Sequence, residues 1–198
     1  MKHTEIEYKY WADDLDIISF ISRLDKACPN TIDDAEHIYV VSCDDYYTHV
    51  EDKYLSSDKQ RVLRFRKGNN RKEITVKQKQ QENVVRDEIN IDVSTSADTD
   101  ISVFLNMLGY EKSFQVYKEA WIWFIAKEVA ISYYTLSLGK SIVEVEAINY
   151  RSVKEGKEHI DRYEKLLKLN KLRKEKRSLY EIYIDTEELR KDQEAAFC

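Results

Sequence analysis

The chain has 198 residues and a formal net charge of −5 at pH 7, with 42% hydrophobic and 35% charged side chains, four glycines and one proline. That length supports one domain with a full core, and the composition excludes a disordered or fibrous class. The negative balance argues against a general nucleic-acid surface, and no apolar run has the form of a signal peptide or the length of a bilayer span, so a cytoplasmic protein is expected.

Residues 2–10 alternate Glu5, Glu7 and Lys9 with Ile6, Tyr8 and Tyr10, the period of a strand. From Asp13 to about Ala27, Leu15, Ile18, Ile21 and Leu24 recur at helical spacing, with Asp13 or Asp14 as cap and Pro29 beyond the end. Residues 36–47 are rich in β-branched and aromatic side chains and predict a second strand. The alternating runs 61–67 and 71–79 flank Gly68-Asn69-Asn70, a hairpin signal, and a further strand spans roughly 83–93. Asp98 or Asp100 caps a short helix through Met107, which ends at Gly109 in a left-handed C-cap. Strands follow over about 112–126, 129–136 and 141–149, with Leu138-Gly139-Lys140 as the last turn. From Arg151 to about Arg177 the pattern is long, charged and helical, with Ile160, Tyr163, Leu166 and Leu167 as its apolar stripe. Its basic excess reads as a solvated helix packed by one face.

Eight strands suffice to close a barrel, and the helices need apolar strand faces to pack on. The fold class is therefore α+β, a closed eight-stranded antiparallel β-barrel with helices outside. Residues 1–150 form the barrel, and residues 151–198 a C-terminal helical extension of the same domain.

With helices on the outside, the charged strand faces point inward. They carry the basic groups Lys9, Arg64, Arg66, Lys77, Lys79, Arg86 and Lys118 and the acidic groups Glu5, Glu7, Glu88, Glu144 and Glu146. Enclosed charges need water, counter-charges or a charged ligand. Arg and Lys suit phosphate oxygens, and clustered carboxylates suit Mg²⁺ or Mn²⁺. One tunnel holding both sets suits a metal–polyphosphate complex. Neither G-x-x-x-x-G-K-S/T nor G-x-G-x-x-G is present, so side chains rather than a glycine-rich backbone loop must bind phosphate. The three cysteines, Cys28, Cys43 and Cys198, and the four histidines, His3, His37, His49 and His159, have no metal-ligand spacing. Trp11, Trp121 and Trp123 read as outer core, with contact to a nucleobase at a tunnel mouth as the alternative for the last two.

The strand Glu5-Ile6-Glu7-Tyr8-Lys9 is an E-x-E-x-K motif. In order after it come Tyr46-Tyr47-Thr48, R-x-R at 64–66, T-x-K at 75–77, R-x-E at 86–88, Lys118, Leu138-Gly139 and E-x-E at 144–146, with Ser178-Leu179-Tyr180 as a late addition. This series resembles the signature of the CYTH, or triphosphate tunnel metalloenzyme, superfamily over about residues 5–146. The resemblance implies an eight-stranded tunnel with Glu5, Glu7, Glu144 and Glu146 as ligands of Mg²⁺ or Mn²⁺. It also implies Lys9, Arg64, Arg66, Lys77, Lys79, Arg86 and Lys118 as phosphate contacts, with Lys9 and Glu88 in the chemistry.

Two positions depart from the family pattern. Ala120 stands where a second basic residue is common after Lys118, and Ser132-Tyr133-Tyr134 stands where an acidic residue is common before the Leu-Gly turn. The implied partner is a triphosphate-bearing small molecule: inorganic triphosphate, ATP, another nucleotide or thiamine triphosphate. Three functions stay open: metal-dependent triphosphate hydrolysis, a class IV-type adenylate cyclase, and a noncatalytic nucleotide or polyphosphate binder. The oligomeric state, including a homodimer, is equally open.

Overall fold

Charged and apolar side chains alternate along most of the strands, so the sheet they build has one polar and one apolar face. The computed structural model describes residues 2–29, 37–51, 61–69, 71–80 and 84–184. In chain order the elements are β1 (Lys2–Trp11), α1 (Ile17–Ala27), β2 (His37–His49), β3 (Arg61–Gly68), β4 (Lys72–Lys79) and β5 (Val85–Asp92). Then come α2 (Asp98–Met107), β6 (Tyr110–Ile125), β7 (Val129–Leu136), β8 (Ser141–Ala147), α3 (Val153–Leu166), β9 (Lys174–Glu175) and α4 (Leu179–Ile184).

The strands pair antiparallel in the order β5-β4-β3-β2-β6-β7-β8-β1, and β1 returns to β5, which closes an eight-stranded barrel. β1 closes it by dividing its length. Lys2–Ile6 pair with β5 and Glu7–Trp11 with β8, while two-residue β9 pairs with Lys9 and Tyr10.

The apolar face points outward and is covered by helices. Phe20 and Leu24 of α1 and Ile160, Tyr163 and Leu167 of the α3 region share one core with Ile6, Tyr10, Val143 and Val145. Phe20 lies 5.7 Å from Trp123 and 5.6 Å from Tyr133, ring centre to ring centre. Ile101 and Leu105 of α2 cover Leu63, Phe65 and Ile74 elsewhere on the wall. Gly156 permits the close approach of α3 to β1, since a Cβ there would lie 2.7 Å from Ile6 Cδ1.

Helix boundaries differ from the sequence reading in three places. α1 begins at Ile17, because Asp16 rather than Asp13 or Asp14 is the cap, accepting from Ser19 N at 2.8 Å. Asp98 and Asp100 lie inside the first turn of α2 behind Ala97, where Asp98 meets Lys72 at 2.9 Å. The helix expected through Arg177 stops at Leu166: Lys168 takes a left-handed φ of 54°, and a 3-10 turn, β9 and α4 follow. Leu166, placed in the apolar stripe by the sequence, lies off the buried face and is exposed, while Ile160, Tyr163 and Leu167 are buried. Gly109, at φ +81°, ends α2 as expected.

The short helix α4 is buried along Leu179–Tyr183. Its neighbours are Trp11, Tyr46, Phe114, Tyr134 and Ile142, all from one end of the barrel and all on the inward-facing side of their strands. α4 therefore fills that end of the tunnel.

Candidate functional site: a charged tunnel

The inner wall encloses a cavity of about 300 Å³, and every inward-facing charged residue read from the sequence lines it. β1 supplies Glu5, Glu7 and Lys9; β3 supplies Arg64 and Arg66; β4 supplies Lys77 and Lys79. β5 contributes Arg86 and Glu88, β6 contributes Lys118, and β8 contributes Glu144 and Glu146. Strand period explains the set, because residues two apart share a face and antiparallel pairing keeps inward faces opposite one another.

Four glutamates gather where β1 meets β8. Glu7 pairs across the strands with Glu146, and Lys9 with Glu144. Lys9 contacts Glu7 and stands 3.4 Å from Glu144, and Arg86 also contacts Glu7. Burial would raise Glu7, but Lys9, Arg86 and Lys77 outweigh it and hold that carboxyl well below the usual range. Glu5 accepts from Lys77 at 2.6 Å through one oxygen, while its Oε2 is buried without a hydrogen bond among the described residues. Burial and the neighbouring Glu7 push Glu5 up to about 7. Glu146, which makes no ion pair among the described residues, is pushed well above its ordinary value by burial, Glu5 and Glu7. Carboxylates this close repel, so the cluster favours a cation.

The basic wall has a different arrangement. Arg66 grips Asp44 with two bonds, Nε to Oδ1 at 2.8 Å and Nη2 to Oδ2 at 2.7 Å. Arg64 approaches the same carboxylate at 3.5 Å, and donates to Thr75 Oγ1 at 2.9 Å and Glu73 at 3.3 Å. Lys77 bridges Glu5 at 2.6 Å and Glu88 at 2.7 Å, and Glu88 also accepts from Asn90. Burial would raise Glu88, but Lys77 overrides it and takes the carboxyl down to about 2. Lys79 turns to Glu181 of α4. Lys118 makes no ion pair among the described residues and sits over the Tyr134 ring at 4.9 Å. Burial and the nearby Arg66 lower it to about 8.

Sequence reading missed several members of this site. Asp44 is fully buried and pairs with two arginines, with Glu73 supplying the second negative charge; nothing local in the sequence distinguishes it from Asp45. Glu73 and Asn90 line the cavity from the β4 and β5 faces that also carry Lys77 and Glu88. Tyr134 points inward and donates to Glu144 at 3.1 Å, whereas Tyr133 points outward and donates to the Leu15 carbonyl at 2.9 Å. Ser178, Leu179 and Tyr180, the late addition to the motif series, do line the cavity, from the start of α4. Ala120 is buried against Tyr134 on the inner wall, so no charge stands there.

The donor set fits a hard divalent cation: four glutamates, one with an unpartnered buried oxygen. Among the described residues no three His, Cys, Asp or Glu side chains already converge on one point, and Lys9, Lys77 and Arg86 pair with Glu5 and Glu7. Trp123 is core beneath α1, and Trp121 stacks outside the barrel on Tyr39 at 4.9 Å. Cys28 and Cys43 form no disulfide among the described residues, and Cys198 and the His3 side chain fall outside the described residues. Among the described residues no helix is long and apolar enough to cross a membrane.

Solved structures with this fold span nearly the whole chain. A conserved hypothetical protein from Pyrococcus furiosus matches with a TM-score of 0.71 at 20% identity, covering 89% of this chain and 98% of that one. A candidate adenylate cyclase from Vibrio parahaemolyticus matches with a TM-score of 0.65 at 20% identity, covering 91% and 97%. The candidate adenylyl cyclase HpAC1 from Hippeastrum, described as having a dominant triphosphatase activity, matches with a TM-score of 0.56 at 10% identity, covering 85% and 89%. No family model and no curated protein matches the chain. Identities this low establish a shared fold.

Proposed function

We propose that this chain, whose fold is of the CYTH or triphosphate tunnel type, is a divalent-metal-dependent enzyme that hydrolyses a triphosphate inside its barrel. One observation carries the reading. The cavity sets an under-compensated group of glutamates, with Glu5 Oε2 and Glu146 short of partners, against a basic wall in which Lys118 lacks a counter-ion among the described residues. A metal–triphosphate complex supplies both missing charges at once.

Glu5, Glu7, Glu144 and Glu146 would hold Mg²⁺ or Mn²⁺. The bound metal would neutralise phosphate oxygens and activate water. Arg64, Arg66, Lys77, Arg86 and Lys118 bind the non-bridging oxygens from fixed positions, so they stabilise developing charge without reorganising. Lys9, between Glu7 and Glu144, shields phosphate from the acidic cluster. Glu88, ionised down to about 2, is a weak base, and its part is to hold Lys77 in place. Lys79 joins the substrate only by leaving Glu181.

The test is incubation with tripolyphosphate, ATP, GTP and thiamine triphosphate, each with Mg²⁺, Mn²⁺ or EDTA, with products resolved by anion exchange. Orthophosphate formed only with metal is the expected result. Cyclic nucleotide with pyrophosphate would replace hydrolysis by cyclisation, the alternative suggested by the description of the Vibrio protein. Ligand-induced stabilisation with no product would make the tunnel a binder.

A further inference from the structure

The tunnel wall is not uniformly charged. Its polar groups come mainly from the arc β8-β1-β5-β4-β3. Across the cavity, the inward positions of β2, β6 and β7 carry Ser42, Asp44 and Lys118 midway along the barrel and, further from α4, Ala120, Ile122, Ile38, Phe124 and Ala130. Register makes these contiguous: Ile38 pairs with Ile122, and Phe124 with Ala130. Ile122, Phe124 and Ala130 line the same cavity as the glutamates, and Ala130 pairs directly with Glu146 on β8.

Position along the axis matters as much. α4 fills the end of the barrel at Trp11, Phe114 and Ile142, whereas Ile38, Phe124 and Ala130 stand at the opposite ends of their strands. At that mouth Ile38 is 37% and Phe124 38% exposed, so apolar surface there faces the cavity opening instead of packing. Tyr46, Leu179 and Tyr180 also line the cavity, but they are buried against one another at the filled end. Tripolyphosphate would leave the apolar ledge bare, whereas an apolar ring on the last phosphate would cover it.

Resting on the triphosphatase reading, we infer that the substrate is an organic triphosphate whose flat, largely apolar group lies on the Ile38–Ile122–Phe124–Ala130 ledge. The phosphates enter first, because α4 blocks passage from the other end. Ser132, inward on β7 opposite Ile122, lines the cavity beside the ledge and supplies a hydroxyl to a polar edge of that group.

The experiment compares kcat/KM for ATP, thiamine triphosphate, methyl triphosphate and tripolyphosphate with Mn²⁺. Methyl triphosphate separates the loss of one phosphate charge from the gain of a ring. At least one ring-bearing substrate is expected to exceed both ring-free ones, and Phe124→Ala should shrink that preference about tenfold. Ile38→Asn, at a second exposed position, provides the same readout should Phe124→Ala fail to fold. Equal or better use of the ring-free substrates, or a preference unchanged in both variants, would overturn the ledge and leave the triphosphatase reading standing. If none of the four is turned over or raises the melting temperature, both fall together.

Discussion

Asp44 and Glu5 are carboxylates buried on the inner wall of one barrel, and their surroundings treat them in opposite ways. Asp44 is gripped by Arg66 through two short bonds and flanked by Arg64, and although burial opposes it, those arginines hold the carboxyl well below the usual range. Glu5 shares Lys77 with Glu88, keeps one oxygen without a hydrogen bond among the described residues, and is pushed up to about 7 by burial and Glu7. The first region is a closed network whose charges cancel. The second is an acidic cluster left short of positive charge. A closed network fixes its arginines in position, whereas an unsatisfied one favours an added cation, so one wall holds two electrostatically distinct regions.

The contrast breaks most severely at Asp44. Asp44→Asn leaves buried Arg64 and half-buried Arg66 with Glu73 as their one remaining carboxylate among the described residues and should destabilise the protein by about 3 kcal/mol, read as a lower urea midpoint with an unchanged slope. Glu146→Gln should act the other way in the metal-free protein, raising its melting temperature at pH 8 by relieving repulsion. The same variant should lower metal-dependent triphosphate turnover on the order of a hundredfold. A fall in stability without any loss of metal dependence would remove Glu146 from the metal site.

Acidity sharpens the comparison, because the two regions depend on pH with opposite sign. Asp44 is lowered from 3.8, so its contribution is present above that value and is lost as pH falls through its folded pKa. Glu5 is raised from 4.5 to about 7, so its contribution is complete below 4.5 and is lost as pH rises through about 7. In EDTA the melting temperature should therefore decline between pH 5 and 8, and Mn²⁺ should cancel that decline. A flat profile in EDTA would count against a crowded acidic cluster. The smallest effect is expected at Tyr134, whose hydroxyl donates to Glu144 at 3.1 Å. Tyr134→Phe should cost about 1 kcal/mol in chemical denaturation and raise KM for metal more than it lowers kcat.

Much of the site was legible because strand parity is a local property. Glu5, Glu7 and Lys9 are two apart, as are Arg64 and Arg66, Lys77 and Lys79, Arg86 and Glu88, and Glu144 and Glu146, and each set lands on one face. Asp44 was illegible for the same reason turned round: Asp44 and Asp45 are adjacent, so one must face in and the other out, and nothing local says which. Asp44 proved to lie opposite Arg66, and Asp45 went outward to Lys67 at 2.6 Å. The end of α3 was misjudged because charged residues continue past Lys168, and only its left-handed backbone shows the stop. α4 was hidden because a six-residue helix is too short to carry a periodic signal.

By itself, then, the sequence determined which side chains share a face, through the two-residue period of its strands, and the type of most elements, through their spacing and turn residues. Tertiary structure decided the rest: which face was enclosed, which carboxylate met two arginines and which met only other carboxylates, and which end of the tunnel α4 filled. Those outcomes depend on register and closure between segments far apart in the chain, where the relevant energies are desolvation and pairing of charges and no local pattern records them.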